Sequence, residues 1–294
     1  MTRPAFIRQP GPPKRERIQS ASGWAQPFSF EVAAGSLLLE AVRDGFAAAG
    51  FSSGVAAFSA LEFGPFGYVM PSTSPTPKHA AYYSQTYRPS GVSRVLQGAL
   101  TFGTRDGVAF FHAHALWQEP GGRISGGHIL PEETVLAGPG RIDAWGVSGI
   151  AFDARPDDEI NFKVFGPVAT TRRHGATEHR AYGVRLRPNQ DYCGALETFC
   201  RRRGIRRARL FGGVGSTIGA AFDDGRCIEP FVTEIFLTAG RIDPDAAGKP
   251  VATLDIGLVD MDGTTAQGRL TRGSNPILMT IELVLVVDET VPSA

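Results

Sequence analysis

Three histidines gather in one stretch of this chain: His112, His114 and His128, within FFHAHALWQEPGGRISGGH. Side chains two apart on a strand share a face, so a strand through His112 and His114 projects both imidazoles side by side. A Gly-rich turn and a returning strand, Gly126-Gly127-His128, would bring the third imidazole to meet them. Three neutral imidazoles with a fourth position open describe a catalytic metal site; zinc leads on ligand type, and iron, nickel and copper also accept imidazole. An isolated H-x-H pair on a strand more often packs or hydrogen-bonds, and the third histidine after two permissive glycines turns the reading toward metal. Glu133, just beyond His128-Ile-Leu-Pro, is the candidate catalytic carboxylate, a general base or an orienting partner for a histidine.

The elements that must position these residues occur twice. Residues 30–64 and 182–216 each read as a short strand, a turn, an amphipathic helix closed by a glycine (Gly50, Gly204) and an apolar strand. In the first helix Leu38, Val42 and Ala49 line one face, with Leu39 and Phe46 beside them. In the second, Asp191 is the expected N-cap of a helix burying Leu196, Phe199 and Cys200. Further on, Gly122 to His128 aligns with Gly263 to Arg269, so Thr253, Asp255 and Arg269 stand where the first copy has His112, His114 and His128. The second copy therefore lacks the imidazole set and reads as a scaffolding half. The pattern predicts an α+β fold with two tandem domains. Its divisions are an N-terminal arm at 1–27, a first domain at 28–150, a linker at 151–181 with a strand-like centre from Ile160 to Val164, and a second, degenerate domain at 182–290.

The first copy carries an extra segment, residues 70–94, rich in Pro, Ser and Tyr. A loop this long on a compact domain is functional or disordered. Tyr83, Tyr87 and Arg88 in it suit recognition of a carboxylate or a flat polar ligand, and Arg269 offers a further cation to an anionic substrate. Sequence leaves open whether this segment reaches the histidines.

Composition narrows the function. Lys+Arg 30 against Asp+Glu 29 gives a net charge of +1, a poor signature for a dedicated nucleic-acid binder. Hydrophobic residues at 42% and charged residues at 20% suit a soluble globular chain. Cys193 and Cys200 lie two turns apart on one helix, too far to bridge, which favours a reducing cytoplasm. No signal-peptide core and no membrane-length apolar run is found, so no membrane partner is expected.

With these motifs in view, strand–helix–strand, then H-x-H, then G-G-R-x-x-G-G-H, the chain resembles the plants-and-prokaryotes-conserved (PPC) domain, as two tandem copies. The second copy keeps the GGVGS segment after ARLF and the Asp262-Gly263 turn. The resemblance implies a mainly antiparallel sheet with one principal helix in each copy, and assembly into homotrimers. It also brings a DNA-associated alternative, because plant members join the domain to AT-hooks. No Arg-Gly-Arg-Pro core occurs here; the nearest string, RRRGIRRARL at 201–210, sits at a helix end, where arginines complement the macrodipole. Gly213-x-Gly215-x-x-x-Gly219 lacks the helix a dinucleotide fingerprint needs and reads as a tight turn between strands.

The functional expectation is a metal-dependent enzyme of lyase or hydrolase type, acting on a small carboxylate or carbonyl substrate at the three-histidine site. The alternative is a non-catalytic oligomer with a DNA-associated or ligand-binding role.

Overall fold

The computed structural model describes residues 3–171 and 179–288. The chain opens with β1 (Ile18–Val32), α1 (Leu38–Ala48) and β2 (Gly54–Phe58). Four two-residue strands follow: β3 (Glu62–Phe63), β4 (Tyr68–Val69), β5 (Pro71–Ser72) and β6 (Tyr82–Tyr83). The first copy closes with β7 (Ser93–Arg105), β8 (Val108–Gln118), β9 (Ile124–Ile129) and β10 (Gly140–Ser148). A hairpin of β11 (Ile150–Asp157) and β12 (Phe162–Ala169) connects the copies. The second copy runs β13 (His179–Leu186), α2 (Tyr192–Arg203), β14 (Ala208–Ala221) and β15 (Cys227–Pro244). It ends with β16 (Pro250–Asp260), β17 (Thr265–Arg269) and β18 (Ile277–Val287).

Hydrogen bonding links most of these strands in the order β17-β16-β15-β14-β18-β13-β1-β10-β2-β7-β8-β9. Read from the centre outward, the order repeats strand for strand: β13 answers β1, β18 answers β10, β14 answers β2, and so on to β17 and β9. The sequence repeat is therefore a repeat of topology, joined across the antiparallel β1–β13 pair. Among the described residues the fold is a mostly antiparallel sheet with two α-helices, and no helix is long and apolar enough to cross a membrane.

β1 carries the junction. Its residues 18–25 pair with β13 and its residues 24–32 with β10, so the arm expected at 1–27 gives way to sheet at Ile18. The expected strand centre at Ile160–Val164 also moves. Asn161, at φ 58, takes the left-handed turn that closes the β11–β12 hairpin, and β12 begins only at Phe162. Parts of the expected linker (172–178) and of the second domain's end (289–290) lie outside the described residues.

Alternation along the strands sorts their faces. On β8, Phe111, Ala113, Ala115 and Trp117 face the core beneath α1, with Leu38, Val42 and Phe46; Ala49 is only partly buried there. On β18, Ile281, Leu283 and Leu285 face Leu196, Phe199 and Cys200 of α2. The opposite faces of the two copies meet each other, with Val55 and Val147 against Val284 and Val286, and Ala99 and Leu116 against Val214 and Phe236. The layers thus run helix, sheet, sheet, helix. Asp191 caps α2 as expected, its Oδ1 accepting the Gly194 N–H at 2.7 Å, and Gly204 ends the helix at φ 68.

The glycines after ARLF do not make a turn. β14 is continuous from Ala208 to Ala221, and its register against β18 shifts between Gly212 and Val214 and again between Gly215 and Thr217. Gly212 at φ 82 and Gly213 at φ 64 supply the left-handed conformations that such bulges require.

Candidate functional site

His112 and His114 lie on β8, on the face away from α1 and toward the second copy. β9 returns beside β8 with His128 directly opposite His114. The His112 ring lies 4.6 Å from that of His114 and 4.9 Å from that of His128, and one nitrogen from each of the three falls within 4.8 Å of the others. The two glycines before His128 make this approach possible. A Cβ at Gly126 would lie 2.6 Å from the Leu116 side chain, and one at Gly127 would lie 2.6 Å from the Val69 carbonyl oxygen.

The second copy completes the surroundings. Glu282 of β18 bonds His112 Nδ1, and its side chain is fully buried. The Ile235 carbonyl of β15 accepts from His114 Nδ1 at 2.9 Å, and Glu234 Oε1 stands 3.6 Å from His114 Nε2. These contacts set the tautomers. A carbonyl only accepts, so His114 Nδ1 carries the hydrogen and Nε2 is a lone pair. With an ionised Glu282, the same holds for His112. The two Nε2 atoms face each other at 3.0 Å. Two lone pairs at that distance repel unless an electrophile, a proton or a metal cation, lies against them. His128 Nδ1 is buried with no hydrogen-bond partner among the described residues, as are Glu234 Oε2 and Glu282 Oε2.

Electrostatics disfavour protonation of two of the imidazoles, His114 and His128. Burial, then the charges of His112 and His128, hold His114 well below the usual histidine range. Burial, with His112 and Arg105, does the same for His128. Burial pushes the Glu234 carboxyl well up, partly opposed by a hydrogen bond from the His128 backbone.

The 70–94 segment does reach the histidines. β5 and β6 form a small ladder, and the Tyr83 ring packs edge-on against His128 at 5.2 Å. Tyr83 lines the cavity beside the histidines although much of the residue is exposed, and burial, with Glu234 and Glu282, pushes its phenol well up. Tyr82 and Tyr83 also pack on Phe162 of the connecting hairpin. Between these aromatics, the histidines and the second copy lies a cavity of about 70 Å³.

The other expected site residues stand elsewhere. Tyr87 stacks on Tyr68 at 5.4 Å. Arg88 pairs with Glu133 at 2.6 Å near the surface, and neither lines the cavity. Arg269 is held by both oxygens of Asp255, at 3.0 and 3.1 Å. Three arginines of 201–210 are likewise engaged: Arg203 lies over Tyr182 and Phe199, Arg207 pairs with Asp243, and Arg209 with Asp288. The carboxylates that meet the imidazoles, Glu234 and Glu282, were not singled out from sequence. A signal existed, since each is a lone acid within an apolar strand, FVTEIFL and ILMTIELVLVV.

A duplicated α+β unit with a buried histidine cluster between its copies defines the class. Residues 173–288, within the second half of the chain, match the family model of the Plants and Prokaryotes Conserved (PCC) domain. Solved structures similar to it each span about half the chain. A plant- and prokaryote-conserved protein of Pyrococcus horikoshii shares 15% identity, over 51% of this chain and 96% of its own, with a TM-score of 0.40. A metal-containing protein of Archaeoglobus fulgidus shares 16%, over 48% and 92%, with a TM-score of 0.38. A candidate DNA-binding protein of Ralstonia eutropha shares 17%, over 47% and 89%, with a TM-score of 0.36. No curated protein sequence matches the chain.

Proposed function

We propose that the chain is a metal-dependent enzyme acting on small molecules, with His112, His114 and His128 as ligands to a divalent ion. The observation that carries this reading is the pair of Nε2 atoms facing each other at 3.0 Å, with each Nδ1 engaged on the other side of its ring. An outer partner on Nδ1 is how a protein presents Nε2 to a metal. Zinc suits a three-imidazole donor set, with iron, nickel and copper as competitors. Bound there, the ion would supply Lewis acidity toward a carbonyl or water.

The chain's own residues do the rest. Glu282 fixes the His112 tautomer, and the Ile235 carbonyl fixes that of His114. Glu234, buried beside His114 and lining the cavity, is placed to hold or move a proton at Oε2. Tyr83 covers His128 and keeps water from that side. Proton transfer and carbonyl polarisation together suit lyase or hydrolase chemistry.

Elemental analysis of protein purified without a histidine tag tests the proposal. About one divalent ion per chain is expected, and none in His112→Ala. Metal content that is absent in the parent protein, or unchanged in the variant, refutes it.

A further inference from the structure

We infer that residues 71–83 form a lid over the histidine site, hinged at Met70 and Ser84 and latched on the Asn161–Phe162 turn. This rests on the metal reading above and adds control of access to that site. The cavity of about 70 Å³ is small beside the ~300 Å³ or more of ordinary ligand pockets, so a substrate needs one wall to move. Most of the walls are held too firmly. His112 and His114 stand on β8, hydrogen-bonded between β7 and β9. Glu234 stands on β15, between β14 and β16, and Thr280 on β18, between β14 and β13. Displacing any of them breaks ladder bonds on both edges of a strand.

Tyr82 and Tyr83 line the same cavity on weaker footing. β5 and β6 pair through two residues each, in a ladder separate from the main sheet, and a two-stranded hairpin is marginal by itself. The base of this segment is fixed. The Met70 N–H donates to Ser84 Oγ and the Ser84 N–H to the Met70 carbonyl, both at 2.9 Å. Just before it, Val69 pairs opposite His128, and Tyr68 and Tyr87 exchange backbone hydrogen bonds at 2.8 and 3.0 Å.

The tip is held by looser contacts. Asn161 Nδ2 donates to the Lys78 carbonyl at 3.1 Å, at the protein surface. The rings of His79, Tyr82 and Tyr83 rest on Phe162, with centroids 4.6, 5.6 and 6.1 Å away. Ala81 packs with Val232 and Leu278 of the second copy. Ring contacts and an exposed hydrogen bond part more readily than a strand ladder, so opening swings the segment about Met70 and Ser84 and off the connecting hairpin.

Cobalt uptake and its release to EDTA, followed in the visible spectrum, provide the test. Asn161→Gly keeps the left-handed turn and removes the tether, and Phe162→Ala removes the platform under the rings. Each should raise the uptake and release rates by the same factor, at least about threefold, and leave Kd within about twofold, because a gate lowers the barrier in both directions without touching the ligands. In metal-free protein both variants should speed trypsin cleavage after Lys78, whose carbonyl the tether occupies, relative to cleavage elsewhere in the chain. Rates equal to the parent's in both variants, or a rise in release alone, would overturn the lid. Protein that takes up no cobalt would overturn the metal reading; the lid is then judged by cleavage after Lys78, and equal cleavage in parent and variants would sink it.

Discussion

Glu282, on the last strand of the second copy, grips Nδ1 of His112 in the first. The copy without the histidine trio is thus no passive scaffold. It supplies two carboxyl groups and a carbonyl to the site of its twin. At its own equivalent position the cross-strand pair His114–His128 is replaced, in the same register, by Asp255–Arg269. A half-exposed ion pair there satisfies itself and leaves no donor set.

Removing the Glu282 grip should loosen the site without emptying it. Glu282→Ala is expected to lower metal affinity about 10–100-fold, read by competition with a chromophoric chelator. Asp255→Ala serves as the control, with unchanged metal affinity and a stability loss of at most about 1 kcal/mol. Equal affinities in the two variants would contradict the role given to Glu282.

Acid should weaken the site before it unfolds the rest. His114 and His128 are held below the usual histidine range in the folded chain, so below about pH 6.5 the unfolded chain takes up protons that the folded chain refuses. The stability they contribute is present above that pH and declines beneath it, and metal occupancy falls in the same window because the ligands must be unprotonated. Melting curves of metal-free protein from pH 7.5 to 5 should show the decline, and His114→Ala should flatten it.

A second acid-sensitive clasp ties the connecting hairpin to the second copy. The Asp157 carboxyl is pushed up by burial but pulled further down by Arg185 and Arg187, and ends below the usual carboxylate range. Its stabilisation is present above the ordinary aspartate value, about pH 3.9, and is lost as pH falls through the lower folded value. Asp157→Asn leaves the buried Arg185 without its counter-charge, and a loss of roughly 3 kcal/mol is expected in urea titrations at neutral pH.

Gly213 sits at φ 64, and a Cβ there would lie 2.4 Å from the Leu237 side chain and 2.8 Å from the Tyr192 hydroxyl. Gly213→Ala should therefore cost about 2 kcal/mol or more, whereas Gly225→Ala, with open space at φ 87, pays only for its backbone conformation. Chemical denaturation of the two variants compares steric with conformational cost; equal losses would mean that β14 yields around the new methyl group.

Much of this was readable from local pattern. The two helices followed from apolar spacing, the Asp191 cap and Gly204, because capping and periodicity are interactions within a few residues. The histidine trio followed from strand alternation and one Gly-rich return. The bulged β14 was misread because glycines that permit a turn equally permit a bulge, and the choice belongs to the neighbouring strand β18. β1 extends further toward the N-terminus than local pattern shows, because its first half pairs only with the distant β13.

The sequence by itself determined which residues share a face: His112 with His114 and Leu116, and Glu282 with Val284 and Val286. Alternation along a strand allows nothing else. Only the tertiary structure decided that those two faces oppose each other, bringing together residues separated by 170 positions. It also decided that Glu133 and Arg88 would neutralise one another away from the cavity. Periodicity records that a face is buried. What buries it depends on the packing of one copy against the other, which no local pattern encodes.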